Sequence, residues 1–305
     1  MSHRNSSQHS LGRMVRFLEA CLFFCVTFLC ASSALALEPV VGTFEEIKNF
    51  RGTSLVLWKY SNNSNVYVFD FPNLTMQGRS FNRVMQHKEQ QGVDAYPRVL
   101  NNFELEQHIT AMGRTSADFA FGHDVLVKDF VQFFNLADRD KIDLNLEEIA
   151  IRDFLIKFNL IKIWRDIFQA LQPGVVILSI PQVQDRRENE PQITAAARYT
   201  VLSHEMAHAE YFGNAAYAAF CRRFWNESLN DVQREAFIKF LSNYNYRALT
   251  DELVVNEMQA YLMFTPDESS FSAKKLGVSN EVLVAMRNAF RKGRPPTTLP
   301  VGKME

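Results

Sequence analysis

The segment Ser203-His204-Glu205-Met206-Ala207-His208 constrains this chain most, because it lies in a run from residue 192 to 212 that holds neither glycine nor proline. Such a run reads as a helix. Helical residues four apart stand one above the other, so His204 and His208 aim two imidazoles at one point. Thr200, Val201, Tyr211 and Phe212 share their lane, which turns that point inward. Neutral imidazoles facing a core need a partner, and a zinc ion suits this spacing. Glu205 lies about a third of a turn away. It is too far round to ligate but near enough to reach a water at the metal, so it reads as a general base.

The chain begins with a targeting pattern. Residues up to 16 are polar and carry Arg4, Arg13 and Arg16, residues 20–37 are almost wholly apolar, and Ala34-Leu35-Ala36 gives a small-x-small pattern before Glu38-Pro39. This predicts a signal peptide over 1–36, cut after Ala36, and hence a periplasmic or secreted protein. The alternative is an uncleaved anchor helix, since the apolar run is near the shortest that spans a bilayer. With cleavage, no stable membrane association is expected. Cys21, Cys25 and Cys30 fall in this segment and leave Cys221 alone, so no disulfide can form within the mature chain. The core must hold the protein, and an apolar fraction of 47% with 26 phenylalanines is ample for that. A net charge of −1, with both signs interspersed, gives no nucleic-acid surface.

Along the mature chain, residues 54–60 and 66–71 are β-branched and aromatic runs around a polar turn, which predicts a hairpin. Residues 77–114 are polar with weak periodicity and read as short helices and loops. His123 and Asp124 read as caps of an amphipathic helix over 125–136, or as contributors to a pocket. Residues 145–171 space their apolar side chains as two helices or one interrupted helix, and 175–180 as a buried strand closed by Pro181. The metal helix is expected from Thr194 to Phe212, ended by Gly213, with Asn214 capping the next helix as far as Phe224. Further helices follow over 231–243, 250–264 and 279–292. The expected fold is α+β and mostly α-helical. A mixed α/β region with a hairpin spans 37–130, and a helical catalytic region spans 131–305.

The histidine segment resembles the active-site helix of the zincin metallopeptidases, a likeness confined to this helix and one later glutamate. By that resemblance a strand before the helix lines the substrate cleft and pairs with an extended peptide. The metzincin branch is excluded, because it would place a glycine at position 211 and a histidine at 214, where this chain has Tyr211 and Asn214. No histidine follows His208, so the gluzincin arrangement, with an acidic third ligand, is the one implied. Glu257 is the first choice, since Leu253, Val254, Ala260 and Tyr261 centre its carboxylate on an apolar stripe. Glu227 has a spacing seen in one gluzincin branch but falls in a turn. Glu252 shares a polar lane with Asn256 and Gln259 in the first turn of its helix.

The expected function is therefore an exported zinc-dependent metallopeptidase, with one Zn²⁺ per chain held by His204, His208 and Glu257 and a peptide or protein as substrate. Tyr244, Tyr246 and Arg247 are candidates to stabilise an oxyanion, and Asp251 to orient a ligand imidazole. Two alternatives stand beside it. One is a non-enzymatic exported module with a structural zinc or a buried polar cluster, and the other is a metal-dependent amidase acting on cell-wall material.

Overall fold

Alternation along two strands sets the architecture. In β3, Val66 and Val68 enter one apolar cluster while Tyr67, Phe69 and Phe71 enter another, and in β7, Val176, Leu178 and Ile180 are divided from Ile177 in the same way. Strands so buried on both faces must lie at the centre of a sheet covered on both sides. The computed structural model, which describes residues 38–90, 98–244 and 249–299, has this arrangement. The strands are β1 (Val40–Gly42), β2 (Val56–Tyr60), β3 (Val66–Phe71), β4 (His123–Leu126), β5 (Ile161–Trp164), β6 (Ile167–Ala170) and β7 (Val176–Pro181). Five form a mixed sheet in the order β1-β2-β3-β7-β4, and β5 and β6 pair as a separate hairpin.

Helices cover both faces, so the protein is α+β. On one side lie α2 (Leu74–Gln90), α4 (Val127–Arg139) and α5 (Leu146–Lys157), around a phenylalanine-rich cluster. The other side begins with the short α1 (Phe44–Asn49) and continues with α6 (Ala195–Gly213), α7 (Ala215–Arg223), α8 (Asp231–Ser242), α9 (Asp251–Phe264), α10 (Ala273–Leu276) and α11 (Asn280–Gly293). The peripheral α3 is Asn102–Ala111. Capping residues set many of the starts. Thr194, Asn214, Asn230, Thr250 and Ser279 each accept a backbone N–H at the first turn of α6, α7, α8, α9 and α11.

The helix bearing the histidine motif is bolted to the sheet by one buried ion pair. Arg198, on the first turns of α6, donates to both carboxylate oxygens of Asp70 on β3 at 2.6 and 2.8 Å and to the carbonyl of Pro181 at 2.7 Å. The Trp58 indole N–H donates to Asp70 as well. At its other end α6 is tied to a distant segment. Glu210 accepts the backbone N–H and the hydroxyl of Thr298, while Tyr60 donates to the Thr298 carbonyl at 2.7 Å.

Several expectations need correction. The stretch 145–171 is not all helical, because Asn159 takes a positive φ of 54° after α5 and the β5–β6 hairpin follows, turning through Arg165 and Asp166 at positive φ. Residues 77–114 contain most of α2, a helix of 17 residues whose Arg83 forms a buried ion pair with Glu148. Asp124 and His123 belong to a strand and cap no helix. The boundary drawn at residue 130 does not divide the sheet, since β7 pairs with both β3 and β4. No helix among the described residues is long and apolar enough to cross a membrane. The expected leader at 1–36 lies outside the described residues.

Candidate metal centre

α6 and α9 pack against each other, and their facing residues form the centre. Helical spacing places His204 and His208 one above the other, with ring centroids 4.7 Å apart. From α9, Glu257 brings one carboxylate oxygen to 3.5 Å from His204 Nε2 and the other to 3.8 Å from His208 Nε2. Glu257 and His208 are buried, and His204 is partly open to the cleft.

The protons on these rings are fixed by their neighbours. Thr265 directs its hydroxyl proton to the Ala260 carbonyl at 3.0 Å, so its oxygen accepts from His204 Nδ1–H at 2.9 Å. Asn256 Oδ1 accepts from His208 Nδ1–H at 3.0 Å. The same oxygen accepts from the Gln259 amide, and Gln259 in turn accepts from the Tyr217 hydroxyl. Both Nε2 atoms are left with lone pairs directed at a carboxylate. Burial lowers the pKa of His204, with the neighbouring His208 adding to the effect, although Glu257 opposes it. The ring is thus neutral near pH 7.

Three electron-pair donors facing one another call for a cation. Ligands at about 2.0–2.1 Å from a tetrahedral zinc lie roughly 3.4 Å from each other, close to the two separations seen here. Two imidazoles and a carboxylate also form a donor set that zinc accepts, and the N–H groups held by Thr265 and Asn256 are the outer contacts such ligands need. The residues fit the ion.

Glu205 lies beside this group, next to Asp124 and His208. Its pKa is raised well above the usual carboxylate range, first by burial and then by the charges of Asp124 and Glu257, with Lys88 pulling the other way. Lys88, near the end of α2, donates to the carboxylate and to the carbonyl of Asp124, each at 2.7 Å, and so ties α2 to β4. Gly122, just before β4, makes room for Glu205, since a Cβ there would lie 2.1 Å from Glu205 Oε1. A cleft of about 690 Å³ opens over these residues, bordered by Phe121, Gly122, Asp124 and Leu126 on one side and by Tyr244 and Tyr261 on another.

Of the residues singled out in the sequence, His204, Glu205, His208 and Glu257 are brought together. Glu227 is not among them, because it is exposed on a single π turn, Phe224–Ser228. Glu252 is held away by Arg222, at 2.6 and 2.9 Å, and by the Tyr211 hydroxyl. Asp251 is exposed on the first turn of α9, and the orienting groups are Asn256 and Thr265 instead. Asn256 and Gln259, expected on a polar face, are buried. Tyr244 borders the cleft, whereas Tyr246 and Arg247 lie outside the described residues.

The strand expected to line the cleft, β7, is interior, and the strand that does so is β4 at the end of the sheet. Sequence reasoning missed Lys88, Gly122, Tyr261 and the roles of Asn256 and Thr265, whereas the pocket alternative for Asp124 agrees with its place on the cleft wall. The one available signal was that Asn256 adjoins Glu257 in a helix otherwise nearly all apolar. Comparison with family models, with curated proteins and with solved structures finds no match to this chain.

Proposed function

We propose that the chain is an exported zinc-dependent hydrolase that cleaves peptide bonds, of the gluzincin arrangement. The observation that carries this reading is the convergence of two imidazole lone pairs and a buried carboxylate, with Glu205 alongside and a cleft above. His204, His208 and Glu257 hold the ion, and Thr265 and Asn256 keep the two imidazoles in the ligating tautomer. When bound, zinc supplies Lewis acidity, polarising a carbonyl and acidifying a water.

Glu205 accepts the proton of the attacking water and returns it to the leaving amine. A carboxylate held in a low-dielectric site beside Asp124 binds a proton readily, which suits both halves of that task. The outer edge of β4 borders the cleft, and an extended peptide laid along it would form backbone hydrogen bonds there. Tyr244 and Tyr261, which line the same cleft, are the candidate donors to an oxyanion. The amino-terminal leader pattern supports export.

The test compares wild type with Glu205→Gln in metal content and in hydrolysis of an unfolded protein. The expected result is about one zinc in each, with hydrolysis reduced about 10²- to 10⁴-fold in the variant. Metal retained with no hydrolysis by wild type would leave a structural site, and no metal in wild type would overturn the reading entirely.

A further inference from the structure

The β5–β6 hairpin ends in apolar side chains that nothing among the described residues covers. Ile163, Trp164 and Ile167 are each just over half exposed, at 54–55%, and Leu171 at its base is 44% exposed. Trp164 and Ile167 face each other across the last pair of the ladder. The base of the hairpin is firmly mounted, because Asn135 on α4 both donates to the Phe168 carbonyl at 3.0 Å and accepts its N–H at 2.8 Å. Ile161 is buried in the phenylalanine-rich cluster and Phe168 packs on Phe134.

The turn itself is built at a cost. Arg165 and Asp166 have φ of 50° and 61°, the left-handed conformation that a two-residue hairpin of this type demands and that glycine or asparagine adopts more easily. An arginine there costs about 1–2 kcal/mol of backbone strain and sets a cation at the tip. Lys162 and Arg165 both lie over the Trp164 ring, at 5.8 and 5.7 Å, and Asp166 is the one carboxylate in the turn.

We propose that this hairpin is a docking tip for an anionic phospholipid bilayer. A narrow convex finger offers little matched area to a folded protein, but a soft interface can close around it. Tryptophan flanked by aliphatic side chains and cations has the composition that settles at the headgroup boundary, with apolar groups below and charges among the phosphates. Lys162 and Arg165 complement anionic headgroups. The hairpin also has a fixed relation to the cleft. Lys128 and Asp129, at the start of α4, border the cleft, and Asn135, which holds the hairpin, stands about 10 Å further along the same helix. The inference does not depend on the hydrolase reading.

Trp164 supplies its own probe, since Trp58 and Trp225 are buried. Residues 20–37 are themselves apolar, so total vesicle binding is not the readout. The full chain is mixed with phosphatidylcholine vesicles with and without phosphatidylglycerol, and tryptophan emission is followed with brominated lipid and with aqueous acrylamide. The expected result is a blue shift and bromine quenching on phosphatidylglycerol vesicles, together with loss of acrylamide access, all absent in Trp164→Phe. Ile163→Ser with Ile167→Ser should weaken the partitioning that this signal reports by about tenfold or more. A circular-dichroism melt of that variant verifies that the fold is kept. Unchanged Trp164 emission on phosphatidylglycerol vesicles would overturn the proposal, as would equal quenching on phosphatidylcholine alone. A blue shift without lipid that grows with protein concentration would overturn it in favour of a second copy covering the tip.

Discussion

Two kinds of buried charge coexist in this protein, and they are built differently. Where α6 meets the sheet, Arg198 and Asp70 are fully buried and matched, with guanidinium N–H groups directed at both carboxylate oxygens. The Arg83 and Glu148 pair on the opposite face follows the same rule. Between α6 and α9 the balance is reversed. Glu257, Glu205 and Asp124 converge on two imidazoles, and Lys88 is the cation bonded there. The matched pairs complete themselves, while the mismatched cluster is the one that the proposed zinc would complete. Burial alone separates a structural charge from a functional one poorly; the sum of donors and acceptors around it separates them well.

The contrast can be broken most forcefully at Arg198. Arg198→Met leaves Asp70 buried without its partner and should destabilise by about 3–5 kcal/mol in urea unfolding. In the same series, run in chelator, Glu205 should behave in the opposite way. Its folded pKa is raised, so the folded state holds a proton that the unfolded state releases, and stability falls as pH rises above the ordinary glutamate range. Glu205→Gln should lessen that decline, to which the buried carboxyls of Asp70, Asp129 and Glu148, also raised by burial, contribute, and be the more stable form at neutral pH. A decline that persists unchanged in the variant would mean that the cluster is not mismatched.

The next effect concerns the ligands' outer contacts. Asn256→Ala frees His208 Nδ1–H from its acceptor and should weaken zinc affinity about 10- to 100-fold in competition with a chromophoric chelator. Equal affinity would show that the tautomer is not held from α9. The smallest expected change in stability is at Gly122. Gly122→Ala overlaps the Glu205 carboxylate and its Cγ, pushes that buried side chain aside and should cost about 1–3 kcal/mol. Hydrolysis should fall far more than stability in this variant, and parallel losses would assign Gly122 to packing alone.

How much of this was legible in the sequence depended on whether a signal was local. The β2–β3 hairpin and the helix starts at Thr194, Asn214, Asn230 and Ser279 rest on nearby residues, and they were read correctly. Glu257 was readable because a carboxylate on an apolar stripe is conspicuous. β4 was not, because four residues running into a helix carry too little alternation to be told from a cap, and only pairing with β7 makes them a strand. The β5–β6 hairpin was missed because Ile161, Phe168 and Leu171 also fit a helical period, and the deciding feature is the positive φ at Asn159, Arg165 and Asp166. Asn256 and Gln259 were assigned to a polar face because their type suggested water. Their partners, His208 and Tyr217, lie on other helices.

The tie between Glu210 and Thr298 bears on the order in which the chain can finish folding. Glu210 is buried two residues beyond His208; the nearby Asn214 amide donates to one of its oxygens, but both donors to the other come from a residue 88 positions later. Until Thr298 arrives, that carboxylate is buried without those donors, a deficit of about 1–3 kcal/mol in the helix that carries the imidazoles. A chain not yet extended to Thr298 therefore holds α6 in an incomplete setting. The two-histidine helix reaches its final stability only once that residue has been made and has folded back onto it.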